Sequence, residues 1–311
     1  MRKDYKLLEG KVVESADEFG QILVYVNPDP EEMKYLQDEC KIDAHNLSSA
    51  LDPDELARIE FEPDQIATIL KRPQNYSSDD RFLFKVSSLG IFLFKDRIVI
   101  VIGDEVSLFD GKYFSHIESI KDVLIKVIYN IILHFLGHLK VINMISESLE
   151  QKINTSMKNY YLLNMFTLEK SLVYYLNACN SNAVVIDKLK ANAPRIGFIP
   201  ESIEFLDDLV IENNQCSKQA DIYSSVIAGL MDARASIISN NLNVMMKNLN
   251  AIVIAIAIPS FFAGVGGMSE FSGMIGFKHW KIGYPVFILA MVLMGGGIFI
   301  LIKAMERLWR K

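Results

Sequence analysis

The chain has 311 residues, of which half are hydrophobic, and its 38 acidic residues outnumber its 32 basic residues. This length fits one large domain or two modest domains. The sequence has no basic patch interleaved with aromatic residues, which argues against nucleic-acid binding. Neither an HExxH motif nor a nucleophile–base pairing is evident, so we do not expect an enzyme. The first segment, MRKDYKLLEG, lacks an apolar run, so we expect no signal peptide.

Residues 1–117 are predicted to form an α/β domain around a mixed β-sheet. QILVYV (21–26) is typical of a strand, and EEMKYLQDEC, which follows an Asn-Pro-Asp-Pro turn, is typical of a helix. HNLSSALDPDELARIEF is predicted to form two short helices broken at Pro53. RFLFKVSS, GIFLFKD and RIVIVIGD (81–104) are rich in β-branched and aromatic residues and are predicted to form three strands.

Long helices are predicted for most of the remaining chain. Residues 118–198 are almost free of proline and predict an antiparallel pair of long helices. No proline occurs between Pro200 and Pro259, so one helix of about 68 residues, roughly 100 Å long, is predicted to begin there. A helix of this length cannot bury a face within its own chain, so we expect it to bundle with other subunits.

Two consecutive runs near the C-terminus contain no charged residue, Asn248–Ser269 and Ile282–Ile302. Each run has about 21 residues, and roughly 20 are enough for a helix to cross a bilayer. A buried soluble helix would explain one such run, but two in succession predict a membrane hairpin. The expected segments are a stalk (199–247), a first transmembrane helix (248–268), an outer loop (269–282), a second transmembrane helix (283–302) and a basic tail (303–311).

Basic residues determine the expected orientation of this hairpin. Six lie beside its two ends, namely Arg234, Lys247, Lys303, Arg307, Arg310 and Lys311, whereas the connecting loop has Lys278 and Lys281 beside Glu270. The positive-inside rule therefore predicts that both termini, with about 245 residues before the hairpin, lie on the cytoplasmic side of the inner membrane. Residues 1–269 have ten more acidic than basic residues, a charge that attracts divalent cations and equally serves solubility.

One face of the long helix is small and polar where the helix enters the first apolar run. Steps of three and four residues align Asn243, Met246, Asn250, Val253, Ala257, Ser260 and Gly264. A stripe that faces lipid would consist of Leu, Ile and Phe, so this one predicts either tight helix packing or a wet pore. The pattern alone does not separate these two alternatives.

Several short motifs follow one another in a distinctive order. They are Arg58-Ile59-Glu60-Phe61, Asp232, Asn243, Met246, Leu249, Pro259, Gly264, Gly267-Met268-Ser269 and Gly283-Tyr284-Pro285. In order and spacing they resemble the CorA family of divalent-cation channels over nearly the whole chain. The resemblance implies an α+β cytosolic domain, joined through a long stalk helix to a two-helix C-terminal transmembrane hairpin. It further implies a homopentamer with one axial pore, passive potential-driven uptake of Mg²⁺, Co²⁺ or Ni²⁺, and no prosthetic group.

The resemblance also implies roles along the pore. Asn243 would offer a polar ring to the hydrated ion, and Met246 and Leu249 would form an apolar constriction that gates by dewetting. Asn250 would keep this zone wet or bond a neighbouring helix. Asp232 matches an acidic position at the cytosolic entrance of the pore, although an isolated aspartate is usually a surface charge.

The filter motif departs from the family pattern at two positions. Ser269 occupies the place of the asparagine in the family's Gly-Met-Asn motif, and Gly266 occupies the place of the usual tyrosine. A serine hydroxyl is shorter than an amide and lacks its carbonyl dipole. We therefore expect weaker selection of Mg²⁺ at the mouth of the pore. Glu270 either adds an acidic ring at this mouth or is a solvated loop charge.

Regulation by cytosolic Mg²⁺ is a second departure. Asp208 matches the family's stalk carboxylate, but its acidic partners in the N-terminal domain are replaced by Ser48 and Ser49. Asp52, one helical turn away, is the candidate to replace them as a metal ligand. A divalent ion acts on such a switch by relieving repulsion between carboxylates, so we expect Mg²⁺-dependent closure to be weak.

Other sequence signals are less specific. His134 and His138 could bind zinc from one helix face, but no third ligand lies nearby in the sequence. Gly264-Val265-Gly266 follows no strand, so it is not a dinucleotide loop. Residues 295–297 are three glycines within the second span, which favours close helix packing over an ion site. The three cysteines lack metal-ligand spacing and suit a reducing compartment.

The sequence is compatible with two other functions. A ZntB-like Zn²⁺ transporter would have the same fold, and ion competition and proton dependence would separate it from a Mg²⁺ channel. A non-conducting membrane scaffold or sensor would keep the fold and the pentamer but would show no divalent flux.

Overall fold

The computed structural model describes residues 1–15, 20–76, 82–110, 114, 116–155, 159–267, 273 and 280–309. These residues divide into two compact units, Met1–Met231 and Asp232–Lys311.

The first unit contains a mixed sheet, as predicted, with seven strands within the described residues. The strands are β1 (Arg2–Leu8), β2 (Lys11–Glu14), β3 (Ile22–Val26), β4 (Arg58–Phe61), β5 (Gln65–Pro73), β6 (Val86–Phe94) and β7 (Ile98–Ile102). Their order in the sheet is β2-β1-β3-β7-β6-β5-β4. The β3–β7 pair is parallel, and the other neighbouring pairs are antiparallel.

Helices cover both faces of the central strands. On one face lie α1 (Pro30–Asp38) and α2 (Ala44–Leu51), and the other face packs against long helices. Alternate residues of β7 belong to the two separate cores. Ile98, Ile100 and Ile102 pack with the long helices. Val99 and Val101 pack with the short helices. A strand buried on both faces is a continuous hydrophobic run, which explains why β3 and β7 were recognisable in the sequence.

The strand predictions were wrong at several places. The expected second helix after Pro53 is instead a loop followed by β4, whose Arg58 and Ile59 pair with Ile69 and Thr68 of β5. Two strands, not three, lie in the described part of segment 81–104. Strands β1, β2 and β5 were not predicted. Pairing with neighbouring strands forms these elements despite weak local patterns, since strand propensity depends strongly on context.

The predicted long helices are confirmed. They are α3 (Ile120–Thr155), α4 (Asn159–Ala191), the short α5 (Ala193–Ile196), α6 (Pro200–Gly266) and α7 (Trp280–Trp309). Gly197 has φ of 77°, a left-handed conformation that ends α5. Pro200 then starts α6, whose 67 residues include Pro259.

Within the described chain, three helices are long and apolar enough to cross a membrane, whereas two were expected. They include residues Ile120–Ile153, Pro200–Gly266 and Lys281–Met305. The additional one, α3, is half buried in its apolar window and contributes Ile128, Phe135 and Ile142 to the core against the sheet. We therefore interpret α3 as a core helix of the first unit. None of the apolar window of α7 is buried.

Candidate ion pore

Within the second unit, one face of α6 packs against α7. The amine of Lys303 donates a hydrogen bond to Oδ1 of Asn248, and Ala251 is 1% exposed. Further along, a methyl group added to Gly295 would lie 2.9 Å from the carbonyl oxygen of Ala255. The contacts occur in opposite order along the two helices, so α6 and α7 pack antiparallel in this unit.

Glycine is required at two of these contacts. Gly295 allows α7 to approach the backbone of α6, whereas methyl groups added to Gly296 or Gly297 would meet nothing within 4 Å. At the end of α6, a methyl group on Gly266 would lie 2.8 Å from Cζ of Phe287. The ring of Phe287 thus occupies the space beside Gly266 and would have to move if position 266 carried a side chain.

The predicted pore stripe lies on the opposite side of α6. At 3.6 residues per turn, Asn243, Met246, Asn250, Val253, Ala257, Ser260 and Gly264 point away from the α7 contacts. All seven are exposed within the single chain, as are Asp232 and Leu249. Asp232 precedes Asn243 by eleven residues, or about three turns, and shares its side of the helix. Helix α7 therefore leaves this polar stripe uncovered.

The stripe is less polar than its composition suggests. The hydroxyl of Ser260 donates to the carbonyl oxygen of Ile256 at 2.8 Å, so its hydrogen is used within the helix. A methyl group on Gly264 would meet nothing within 4 Å. The amides of Asn243 and Asn250 are consequently the main polar groups that this face offers.

The filter motif is only partly within the described residues. The amide of Gly267 donates to the carbonyl oxygens of Ala263 at 3.0 Å and Gly264 at 3.2 Å, which closes the last turn of α6. Met268, Ser269, Glu270 and Lys278 lie outside the described residues. Lys281 is in the first turn of α7 and is exposed.

The two serines that replace the expected acidic partners of Asp208 differ in their surroundings. Ser48 is exposed and donates to the carbonyl oxygen of His45 at 2.9 Å. Ser49 is 1% exposed and accepts a hydrogen bond from Arg58 at 3.0 Å. The same guanidinium group bonds Glu55 at 2.9 Å, so this carboxylate already has a cation partner. No local pattern in the sequence predicts this network.

A buried lysine contacts the loop that follows α2 at Pro53. Lys71 is 5% exposed, and its ammonium group donates to the carbonyl oxygen of Pro53 at 2.7 Å and to the hydroxyl of Ser88 at 3.0 Å. Burial lowers the pKa of Lys71, and the nearby carboxylates of Asp52 and Asp54 oppose this shift. Asp52 itself accepts the amide hydrogen of Asp54 at 2.9 Å.

Asp208 is exposed on α6, and its neighbour Asp207 forms an ion pair with Lys190 at 2.6 Å. Among the described residues, no group of three or more His, Cys, Asp or Glu side chains is placed to hold a metal ion. The regulatory site expected at Asp52 and Asp208 therefore stays a prediction.

The two histidines of α3 are close together, but no third metal ligand joins them within the part of the chain that the structure describes. Their Nε2 atoms lie 3.1 Å apart, and Nδ1 of His138 is 2.6 Å from the hydroxyl of Tyr175. Burial is the main cause that lowers the pKa of His134, and burial followed by the charge of His134 lowers that of His138 to about 4. Both rings are therefore neutral at pH 7, and they form a hydrogen-bonded chain in the core.

His138 should make the first unit sensitive to acid. Because its pKa is about 4 in the folded state and 6.5 when unfolded, the unfolded chain binds more protons between these values, and stability falls as pH falls through this window. We expect a loss of about 2 kcal/mol between pH 7 and pH 4, after a discount for partial exposure.

Urea denaturation at several pH values checks this expectation. His138→Gln should reduce the loss, since glutamine does not titrate and can still bond Tyr175, whereas His134, whose pKa is also lowered by burial, should still contribute. His45→Gln, at an exposed position, serves as the control. This variant should lose as much stability between pH 7 and pH 4 as the unmodified chain. Equal pH profiles for His138→Gln and the unmodified chain would contradict the assignment.

Comparison with known proteins bears on the whole chain. A family model described as "CorA-like Mg2+ transporter protein" matches residues 21–304. The cobalt/magnesium transport protein CorA of Methanocaldococcus jannaschii is 24% identical over 283 residues, which are 86% of this chain and 86% of that protein. The complete structure of the CorA magnesium transporter from that organism has a TM-score of 0.71 at 20% identity, and covers 98% of this chain and 96% of its own.

Other solved structures share the fold at lower identity. The full-length CmaX protein has a TM-score of 0.70 at 13% identity, with 97% of each chain covered. The ZntB cytoplasmic domain from Vibrio parahaemolyticus has a TM-score of 0.58 at 11% identity, and covers 76% of this chain and 98% of that domain. Likeness at this level concerns the fold alone. Because the family model extends over most of its length, the chain belongs to the family of CorA-like Mg²⁺ transporters, which are transport proteins and not enzymes.

Proposed function

We propose that this chain is one subunit of a homopentameric channel for passive uptake of divalent cations across the inner membrane. Its main cargo is hydrated Mg²⁺, with Co²⁺ and Ni²⁺ as further cargo. The observation that carries the proposal is the uncovered stripe of small and polar residues on α6, opposite the face that α7 covers. Five such stripes facing one axis would line a pore, while the α7 helices would separate it from lipid.

The chemistry of the stripe suits a hydrated ion. Mg²⁺ gives up its water reluctantly, so amide oxygens can bind the water shell in place of the metal itself. Asn243 and Asn250 offer such amides, and Met246 and Leu249 between them would form the narrow apolar section. A membrane potential of 100 mV, negative inside, favours entry of a divalent ion by about 4.6 kcal/mol. Uptake therefore needs no further energy source.

The membrane arrangement is part of the proposal. The antiparallel contacts between α6 and α7 support a hairpin of two spans, residues 248–268 and 283–302. The basic residues on both sides of it support cytoplasmic termini. In this arrangement Asp232 belongs to the inner entrance, and Ser269 and Glu270 belong to the outer mouth.

Flux into proteoliposomes tests the proposal. Purified full-length protein should admit Mg²⁺, Co²⁺ and Ni²⁺ when a potassium diffusion potential is applied, without a proton gradient. Asn243→Leu should lower Mg²⁺ flux about tenfold, because it replaces a water-binding amide on the stripe. Asn241→Leu is the matched control, since Asn241 lies on the other side of the same turn.

Three outcomes would contradict the proposal. Zn²⁺ uptake that requires a proton gradient would favour the ZntB-like alternative. An intact pentamer without any divalent flux would favour a scaffold or sensor. Equal flux through the Asn243→Leu and Asn241→Leu variants would remove the stripe from the conduction path.

Replacement of Ser269 should change ion selection at the outer mouth. We expect Ser269→Asn to make Mg²⁺ uptake less sensitive to competition by Co²⁺, Ni²⁺ and Zn²⁺, because an amide ring holds the water shell of Mg²⁺ better. The measurement is the inhibition constant of each competitor against Mg²⁺ flux. Loss of Mg²⁺ preference in Ser269→Ala without any gain in Ser269→Asn would contradict this role.

Cytosolic Mg²⁺ should have little effect on the folded state. The carboxylates near Asp52 already have Lys71 and Arg58 as internal cations, so an added ion relieves little repulsion. We expect the rate of limited proteolysis in millimolar Mg²⁺ to stay within about twofold of the rate without it. Asp208→Asn should not alter this result. Strong protection by Mg²⁺ that Asp208→Asn abolishes would show that a regulatory site exists.

A further inference from the structure

Two cysteines from different helices meet in the core of the first unit. Sγ of Cys179 on α4 and Sγ of Cys216 on α6 lie 3.3 Å apart. Neither residue has any exposed surface. They are 37 residues apart in the chain, and no spacing rule in the sequence brings them together.

Hydrogen bonds on both sides of this pair keep the two helices in register. The side-chain amide of Asn213 donates to the carbonyl oxygen of Cys179 at 2.9 Å. One residue further on each helix, the hydroxyl of Ser217 donates to Oδ1 of Asn180 at 2.7 Å. The neighbours of both cysteines are thus bonded across the same interface, which holds the two sulfur atoms against each other.

We infer that Cys179 and Cys216 form a dithiol modification site, which a peroxide converts to a disulfide that joins α4 to α6. A disulfide bond measures about 2.05 Å, so the sulfur atoms must approach by roughly 1.3 Å. Side-chain rotation and a small shift of the helices supply such a movement without a change of register. The crosslink would be specific to this pair, because Cys40 lies in the separate core beside α1 and α2.

The reaction balances with peroxide as the only oxidant. One cysteine sulfur attacks a peroxide oxygen, the O–O bond breaks, and a sulfenic acid and one water form. The second sulfur then attacks the sulfenic sulfur, the S–S bond forms, and a second water leaves. The two thiols lose two electrons in total, and hydrogen peroxide is reduced to two waters.

The surroundings make this reaction slow and selective. The hydrogen bond with Cys216 and burial raise the pKa of Cys179, so the thiol rather than the thiolate prevails at pH 7. Because neither sulfur is exposed, a large oxidant has no access to the pair. Hydrogen peroxide is small and uncharged, which suits a site reached through transient opening of the helix interface.

Mass spectrometry of the folded, full-length protein tests the inference. After treatment with hydrogen peroxide, removal of the oxidant and alkylation in denaturant, we expect one blocked cysteine pair and an intact mass lower by about 2 Da before alkylation. Proteolysis without reductant should yield a peptide in which Cys179 is linked to Cys216. Cys40→Ala should still form the link, whereas Cys179→Ala and Cys216→Ala should not.

A second measurement does not depend on these variants. The disulfide would close a loop of 37 residues, so the oxidised protein should melt roughly 5 °C higher, and dithiothreitol should reverse the change. The inference is overturned if three alkylatable cysteines remain after oxidation of the folded protein, or if the link forms only after unfolding. Addition of oxygen atoms to the cysteines in place of the mass loss would overturn it equally. None of these results depends on cation flux.

Discussion

Replacement of Gly295 by leucine should abolish divalent flux and prevent stable assembly of the second unit. Even a methyl group at this position would lie 2.9 Å from the carbonyl oxygen of Ala255 and 3.3 Å from Cγ of Pro259. The first of these is a backbone atom, which cannot move aside without displacing α6. A leucine side chain would therefore force the two helices apart, and small residues at such contacts are what allow close packing in a membrane.

Gly296→Leu is the matched control, because an added methyl group there meets nothing within 4 Å. The measurement is size-exclusion chromatography in detergent, followed by Mg²⁺ flux in proteoliposomes. We expect flux from Gly296→Leu within about twofold of the unmodified protein, and no pentamer from Gly295→Leu. Similar behaviour of the two variants would mean that α7 does not pack on α6 through Gly295.

Gly90→Ala should cause the largest loss of stability among single methyl additions in the first unit. Gly90 lies in β6 beneath α2, and a methyl group there would lie 2.5 Å from Cβ of Ala50 and 3.1 Å from the ring of Phe92. Either α2 must lift from the sheet or the strand must shift. Overpacking of this kind costs up to about 3 kcal/mol, and we expect a value near that limit.

Urea unfolding of Gly90→Ala, Ala50→Gly, Gly90→Ala/Ala50→Gly and Gly103→Ala measures this cost. Gly103 is the control, because an added methyl group there meets nothing within 4 Å. Removal of the Ala50 methyl group should restore most of the free energy of unfolding that Gly90→Ala loses. The recovery should fall short by about 1 kcal/mol, because glycine destabilises the interior of a helix by that amount. Additive effects of the two substitutions would show that Gly90 and Ala50 do not share a contact.

The long helices were predictable because their signals are local. For α6, two features of the sequence predicted both ends of the helix to within a few residues. Pro200 marks its start, and no proline occurs between Pro200 and Pro259. Strands β1 and β2 were missed, since they lie at the sheet edge and alternate only weakly between buried and exposed residues. Strand β5 was missed because it contains Lys71 and Arg72 near its end, which are charged yet buried. Only pairing with neighbouring strands and internal partners explains these elements.

In the candidate pore, too, some features follow from local sequence patterns and others depend on tertiary contacts. Helical periodicity identified the stripe from Asn243 to Gly264, but the sequence alone left packing and pore as equal alternatives. The position of α7 distinguishes the two faces of α6, and that position depends on contacts between residues that are distant in the chain, such as Gly266 with Phe287 and Ala255 with Gly295. The close approach of Cys179 and Cys216 and the partners of Ser49 likewise arise from tertiary contacts, which local patterns do not encode.

During synthesis, helix α3 has two competing fates, insertion into the bilayer and packing against the sheet. Its stretch Ile120–Ile153 is apolar enough for a translocon to insert into the bilayer, yet half of its apolar window is buried in the folded protein. The ribosome completes all seven described strands before α3 emerges, so a nascent sheet can capture the helix first. Variants that delay sheet formation would leave α3 to the insertion machinery, and the sheet would then lose a helix that belongs to its core.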